Sequence, residues 1–176
     1  MTPRIAGCLL LACLSGTASG AGQGHGHVRM SGTILDTACA IAAGDTDQSI
    51  ELGTISASEL LTSGRGQPVS FTVHLVNCVL NGQDVRGRDH WKDVRITFEG
   101  EPDGSHRFAL QGQGRGEALA IADETGREAV PGEPMPATHL AQGSMALHYR
   151  MWLTADRHAL QPGDFHTTVR YFMEYD

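Results

Sequence analysis

The chain has 176 residues, with 13 Lys or Arg against 20 Asp or Glu and a formal net charge of −7. That length fits one domain with a tail, and 40% hydrophobic residues supply a core, which excludes global disorder. An acidic chain with scattered bases has no footprint for a phosphate backbone, which excludes nucleic acid as a partner, and no apolar run reaches the ~18 residues of a membrane span.

The amino-terminal segment reads as an address. Arg4 gives a short positive region, Ile5 to Leu14 is apolar, and Ser15 to Gly22 is small and polar. This is the layout of a secretory signal peptide over residues 1–21, cut after Gly20 or Ala21. Leu10-Leu11-Ala12-Cys13 resembles a lipoprotein box but sits too early, with almost no apolar region upstream. Removing Arg4 leaves 12 basic against 20 acidic residues, net −8. Cys8 and Cys13 leave with the signal, and the remaining even pair in an exported chain, Cys39 and Cys78, predicts a disulfide. Closing a loop of that length stabilises by about 4 kcal/mol in the chain-entropy model. A metal pair would need more Cys or His at ligand spacing nearby.

Beyond the leader, the hydrophobic pattern has period two. Val28, Met30 and then Thr33 to Leu35 predict one or two strands, with Gly32 as a break. Ile50 and Leu52 predict a short strand, and Ser56 to Thr62 the one helix, about two turns. Val69, Phe71, Val73 and Leu75 alternate, and the polar stretch Val79 to Lys92 reads as an exposed loop. Val94, Ile96 and Phe98 form the next strand, Leu119 and Ile121 another, then Met145, Leu147, Tyr149, Met151 and Leu153. The last run is the longest. Phe165, Thr167, Val169, Tyr171, Met173 and Tyr175 alternate with His166, Thr168, Arg170, Phe172 and Glu174. Turn signals separate these runs at Gly64-Arg65-Gly66, Asn81-Gly82, Pro102-Asp103-Gly104, Gly112 to Gly116, Thr125-Gly126, Pro131-Gly132 and Pro162-Gly163. Twenty-two glycines suit such a chain better than a helical bundle. The spacing predicts a β-sandwich.

No chemistry-bearing constellation stands out, and the expectation is no catalytic residue, no metal and no cofactor. Nine histidines are present, with His25 and His27 in a Gly-rich leader and the rest scattered. His-Glu-x-x-His and Cys-x-x-Cys patterns are missing. Gly112-x-Gly114-x-Gly116 lacks the following helix and the Lys-Ser/Thr of a phosphate loop, and reads as a glycine turn. Asp45-Thr46-Asp47 lacks the Gly and distant Glu of a calcium loop. There is no Gly-x-Ser-x-Gly elbow.

Five blocks in order carry a resemblance. The first runs from Gly26 through Val28, Met30, Gly32 and Ile34 to Cys39-Ala40-Ile41. The second is Ile50-Glu51-Leu52-Gly53-Thr54-Ile55. The third is Phe71-Thr72-Val73-His74-Leu75-Val76-Asn77-Cys78. The fourth is Val94 to Gly100, and the fifth joins Gly116, Leu119, Ile121, Asp123 and Gly126. Gly163 stands fourteenth from the carboxyl end and Tyr175 is penultimate. Together these resemble the pilin subunits of Gram-negative chaperone–usher fimbriae, of the type 1 and P-pilus kind, with Met30 where that family usually has Phe. The match spans the whole mature chain, and its specificity lies in the joint order of the blocks.

The resemblance implies an all-β fold, an incomplete immunoglobulin-like β-sandwich lacking its final strand and completed by a donor strand. Residues 22–31 would be the outgoing donor extension and 32–176 the pilin domain. Gly24, Gly26, Val28 and Met30 would share one face of the donor strand. Gly163, Phe165, Val169, Tyr171, Met173 and Tyr175 would form the groove strand that meets a chaperone. The implied partners are a periplasmic pilus chaperone, an outer-membrane usher and other pilin subunits, and the implied destination is the cell-surface fimbrium, supporting adhesion. The stretch from Trp91 to Pro136 looks closer to minor or terminating subunits of P-type pili than to major ones. A reading of a different class is a secreted β-sandwich that binds carbohydrate or hydrolyses a substrate. Only 6% of residues are aromatic, and most sit at buried-pattern positions, which disfavours sugar binding.

Overall fold

Two β-sheets meet across one hydrophobic core in the unit Leu35–Asp176, and residues 1–34 form a second unit. The computed structural model describes residues 26–32, 34, 37–81, 91–156 and 158–176. The expected signal peptide, Gly24, Thr33, Leu35 and most of the Val79–Lys92 loop lie outside the described residues. In the unit that precedes Leu35, residues 26–32 and Ile34 carry no strand; Val28 is 90% exposed and Met30 92%.

The larger sheet is built from β1 (Ala40–Ile41), β2 (Val69–Cys78), β4 (Phe108–Ala109), β6 (Glu117–Asp123) and β8 (Gly143–Ala155), in the order β1-β2-β8-β6-β4. All its pairings are antiparallel. The second sheet orders β10 (Arg170–Tyr175), β3 (Asp93–Glu99) and β7 (Thr138–His139), also antiparallel. A two-stranded ladder joins β5 (Gln111–Gly112) to β9 (Phe165–His166). The alternating runs over Val69–Leu75, Val94–Phe98 and Met145–Leu153 all fall inside these strands, because an apolar face every second residue suits a sheet with a core on one side.

The core is fed from both sheets. Val73 and Leu75 of β2, Leu147 and Tyr149 of β8 and Ile121 of β6 meet Val94, Ile96 and Phe98 of β3. Phe98 is the hub. Its ring lies 5.1 Å from Tyr149, 6.2 Å from Phe71 and 6.2 Å from Tyr171, and Phe71 stacks on Tyr149 at 5.4 Å. Edge-to-face and offset arrangements of this kind add to simple area burial.

Helix α1 (Ala57–Ser63) is one residue displaced from the expected span, and both of its ends are specified locally. Ser56 accepts a hydrogen bond from the Glu59 backbone N–H at the start. Gly64, at φ +74°, ends the helix in the left-handed region, with its N–H bonded to the Leu60 carbonyl.

Three expectations change. Ile50 and Leu52 are half-buried and Glu51 exposed, as an alternating strand requires, but no strand forms there. The Gln48 side-chain amide takes the Thr72 carbonyl on the neighbouring β2, and Gly53 turns the chain at φ +70°. The final run is not one strand: Phe165 pairs with Gly112 in the small ladder, while Arg170–Tyr175 pair with β3. The glycine turn is a crossing. A Cβ on Gly112 would sit 2.1 Å from the Asp164 carbonyl oxygen, and one on Gly116 2.7 Å from that of Ala159, so these glycines are required by close backbone approach.

Truncating the hub should be severe. Phe98→Ala is expected to cost about 3–5 kcal/mol, read as a lower urea midpoint. Glu99→Ala, which removes only a surface ion pair with Arg170, should cost about 1 kcal/mol or less.

Candidate functional site

Strand β10 sits at the edge of its sheet, and its two backbone sides are treated differently. Arg170 to Tyr175 lie opposite Glu99 to Val94 of β3. Beyond the strand, the Asp176 N–H donates to the Asp93 carbonyl at 3.0 Å, and the Asp93 N–H donates back at 3.2 Å. Residue 176 therefore faces β3, and by the two-residue period so do Glu174, Phe172 and Arg170. The N–H and C=O groups of Tyr171, Met173 and Tyr175 point the other way. No strand among the described residues pairs with them. A row of unpaired backbone groups is a template for another strand.

The side chains at the same three positions turn inward. Val169, Tyr171, Met173 and Tyr175 are half-buried against the core, whereas Arg170, Phe172 and Glu174 are exposed. Trp91 packs edge-on against Tyr175 at 6.0 Å. Among the described residues the edge thus offers main chain without a strand partner, flanked by apolar and aromatic side chains.

Facing it is a rim contributed by the other sheet, residues Cys39–Asp45. Four contacts hold the rim to β2. Cys39 is disulfide-bonded to Cys78, with Cα atoms 4.1 Å apart. Ala40 and Ile41 pair with Val76 and Leu75. The Ala42 N–H donates to the His74 carbonyl at 2.9 Å. Asp45, ending the 3₁₀ turn Ala43–Asp45, accepts the His74 backbone N–H at 2.6 Å and lies 2.8 Å from its ring Nδ1. That backbone bond from His74 is the main reason the Asp45 carboxyl lies below the usual carboxylate range, against an opposing effect of burial. A bulge helps at the disulfide end: the β2–β8 register shifts between Leu75 and Cys78, and Asn77 there is left-handed at φ +54°. Asparagine tolerates that conformation.

Two tyrosines cross from β10 to the rim. The Tyr171 hydroxyl donates to the Asp45 carbonyl at 2.5 Å, and the Tyr175 hydroxyl to the Cys39 carbonyl at 3.4 Å. Burial raises both phenol pKa values, with the Asp45 charge adding at Tyr171, so both remain donors at neutral pH. Nothing in the sequence pattern marked Asp45, His74 or Trp91 as parts of this edge; their roles appear only once the sheets are assembled.

Of the residues expected to form the groove strand, the structure brings Val169, Tyr171, Met173 and Tyr175 together along the edge. Phe165 lies apart on the small ladder. Gly163 is exposed, and a Cβ there would meet the Gly114 backbone nitrogen at 2.5 Å, so it permits the crossing at which the terminal segment leaves β5. Gly26, Val28 and Met30 of the expected donor face are exposed and carry no strand.

The crossing holds one buried acid. Glu117 is 9% exposed and its Oε2 has no partner among the described residues. Burial and then the Asp156 charge push its carboxyl up, with Arg115 opposing. Among the described residues no group of three or more His, Cys, Asp or Glu side chains is arranged to hold a metal.

No protein-family model matches the chain. Among curated proteins, the major MR/P fimbria protein of Proteus mirabilis is 30% identical over 171 residues, covering 94% of this chain and 92% of its own length. The PAP fimbrial minor pilin protein of Escherichia coli is 30% identical over 157 residues, covering 86% and 77%. Among solved structures, a subunit of a chaperone–usher pilus, determined to explain rod uncoiling, superposes with a TM-score of 0.70 at 26% identity, covering 90% of this chain and all of that one.

The state of Glu117 gives a pH test. A carboxyl raised by folding contributes full stability below its unfolded pKa and loses it as pH rises through the folded value. Glu117→Gln should therefore stabilise the protein at neutral pH by on the order of 1 kcal/mol and give little below about pH 4. Urea midpoints across pH 4–8 measure it.

Proposed function

Because the chain belongs to the pilins of chaperone–usher fimbriae, we propose that it polymerises by donor-strand exchange through the free edge of β10. It is a structural, non-enzymatic subunit of a cell-surface fimbria, with the mostly β, immunoglobulin-like fold of such pilins. The observation that carries the exchange reading is the three-residue run Tyr171, Met173 and Tyr175. Among the described residues their backbone groups have no partner on the side away from β3, while their side chains already belong to the core. An added strand would satisfy the first and cover the second. Strand addition takes affinity from main-chain bonds and specificity from alternate side chains, and chaperone–pilin complementation is one of its recognised forms.

The donor is the amino-terminal leader of another subunit. In this chain that leader runs from about Gly22 to Met30, after removal of residues 1–21, and the pilin domain follows from residue 32. Val28 and Met30 are its large apolar side chains. Their exposure is what a strand waiting for a groove requires. Gly24 and Gly26 continue the same face with no side chain. Each subunit then gives one strand and receives one through different surfaces. Such a heterologous contact does not close, and it builds a filament.

Before assembly the edge needs another cover, since an open strand beside an apolar patch aggregates. A periplasmic chaperone lending a strand meets that need, and an outer-membrane usher would exchange it for the leader of the next subunit. Val169, Tyr171, Met173 and Tyr175 are the side chains assigned to the chaperone contact, with Gly163 and Phe165, the latter on the small ladder, at the entry to the segment.

The faces make the reading testable. Tyr175→Asp places a charge where a ring packs, at a cost of several kcal/mol, and should abolish co-purification with the chaperone. Glu174→Ala, on the exposed face, should bind like wild type. The reverse result would mean the faces are inverted. In the leader, a peptide of residues 22–32 should enter a chaperone-bound subunit, and Val28→Asp should stop it, because one of two large anchors becomes a buried charge. Fibre formation that survives deletion of residues 22–30 would show that this leader is not a donor.

A further inference from the structure

Strand β2 has an outer side with the same attractions as β10. Its inward side chains Phe71, Val73 and Leu75 belong to the core, and β1 borders it over two residues, Val76 and Leu75. By the two-residue period, the backbone groups of Val76, His74, Thr72 and Ser70 point to that side. Continuing the β1 register would set Ala42 against His74 and Gly44 against Thr72. The chain follows it for one bond more, in which the Ala42 N–H donates to the His74 carbonyl at 2.9 Å. It then turns away. The Ala42 carbonyl, which a strand would offer to the His74 N–H, accepts the Asp45 N–H instead at 2.9 Å, as Ala43–Asp45 form the 3₁₀ turn.

Two side chains take up the bonds that the departing backbone leaves. The Asp45 carboxylate accepts the His74 N–H at 2.6 Å. The Gln48 side-chain amide donates to the Thr72 carbonyl at 2.8 Å, where a continuing strand would bring the Gly44 N–H. Acceptor and donor thus stand in the order in which an added strand would present them. Ladder bonds run across the strands within the sheet, so a strand cannot pair with His74 and Thr72 while these two side chains hold the same groups.

We propose that Asp45 and Gln48 decide which edge of the sandwich accepts a strand: they close β2 and leave addition to β10. The assignment rests on the acceptor-edge reading of β10 and names the residues that make it selective. A second open edge would let a donor strand enter at the wrong sheet, or let two subunits pair side by side. A longer β1 would only move the problem, since its own outer side would then be free. A carboxylate and an amide end the ladder without presenting another edge.

The test uses the full mature chain, refolded with excess peptide copying residues 22–32, so that β10 is filled and any further addition happens elsewhere. Native mass spectrometry counts peptides and subunits. Wild type should carry one peptide and stay a monomer. Asp45→Ala combined with Gln48→Ala should carry two, or form dimers of peptide-filled subunits, with amide exchange slowed over Ser70–His74. Gln48→Glu keeps the side-chain length but sets an acceptor against the Thr72 carbonyl. It should shift part of the population the same way, and it decides the matter if the double variant misfolds. Asp45→Asn, which keeps an acceptor oxygen for the His74 N–H, should behave like wild type. One peptide and a monomer's mass for both the double variant and Gln48→Glu would overturn the assignment and leave the β10 edge intact. So would two peptides on wild type. Failure of wild type to take up any peptide would overturn the acceptor edge itself, and the selectivity with it.

Discussion

Three residues of β10 set a constraint that the rest of the fold accommodates. Tyr171, Met173 and Tyr175 commit their side chains to the core, but among the described residues their backbone groups have no partner on the side away from β3. A strand edge with free main-chain groups invites association with other chains, and an apolar face left to water is costly. Both fall along one edge, and one added strand relieves both together. The incompleteness is therefore localised: β3, the strand behind the edge, is flanked by β10 on one side and by β7 on the other.

The rim opposite shows how a sandwich with an open side keeps its shape. Only two residues of β1 pair with β2, too few to hold a strand by themselves. The disulfide, the Ala42–His74 bond and the Asp45 cap supply the remainder within seven residues. Asn77, in the left-handed region just before Cys78, belongs to the same arrangement. The left-handed turn absorbs the extra residue of the bulge where the strand reaches its disulfide. The side chain that permits the backbone conformation and the one that forms the cross-link are adjacent in sequence.

Strands with one buried face were readable because their apolar residues keep period two over six or more positions, as in Val69–Leu75 and Met145–Leu153. The helix was readable from its ends, Ser56 and Gly64. The two-residue strands β1, β4, β5 and β7 were not, since two residues carry no period. Ile50 and Leu52 show the opposite failure: the alternation is real, but a side-chain amide from Gln48 occupies the bonding position a strand would need. The run from Phe165 to Tyr175 keeps one apolar face throughout, yet its two halves pair with different partners, because alternation reports a face and says nothing of a neighbour. At the site, the resemblance to pilins pointed to the inward side chains of β10. The bonds from Tyr171 and Tyr175 to backbone carbonyls were illegible, because a carbonyl acceptor leaves no mark on residue identity.

The pairing of β10 with β3 also has a consequence in time. Arg170 and Glu99, opposite each other in the ladder, are 71 residues apart in the chain. Closing a loop of that length costs entropy before the pairing contributes anything, and pairings distant in sequence are slow to form. The rim is more local: Cys39 and Cys78, which cross-link it, are 39 residues apart. The rim can therefore form before β10 docks, and the outer edge of β10 is presented only once it has docked, so a protein that captures this subunit by that edge meets it late in folding.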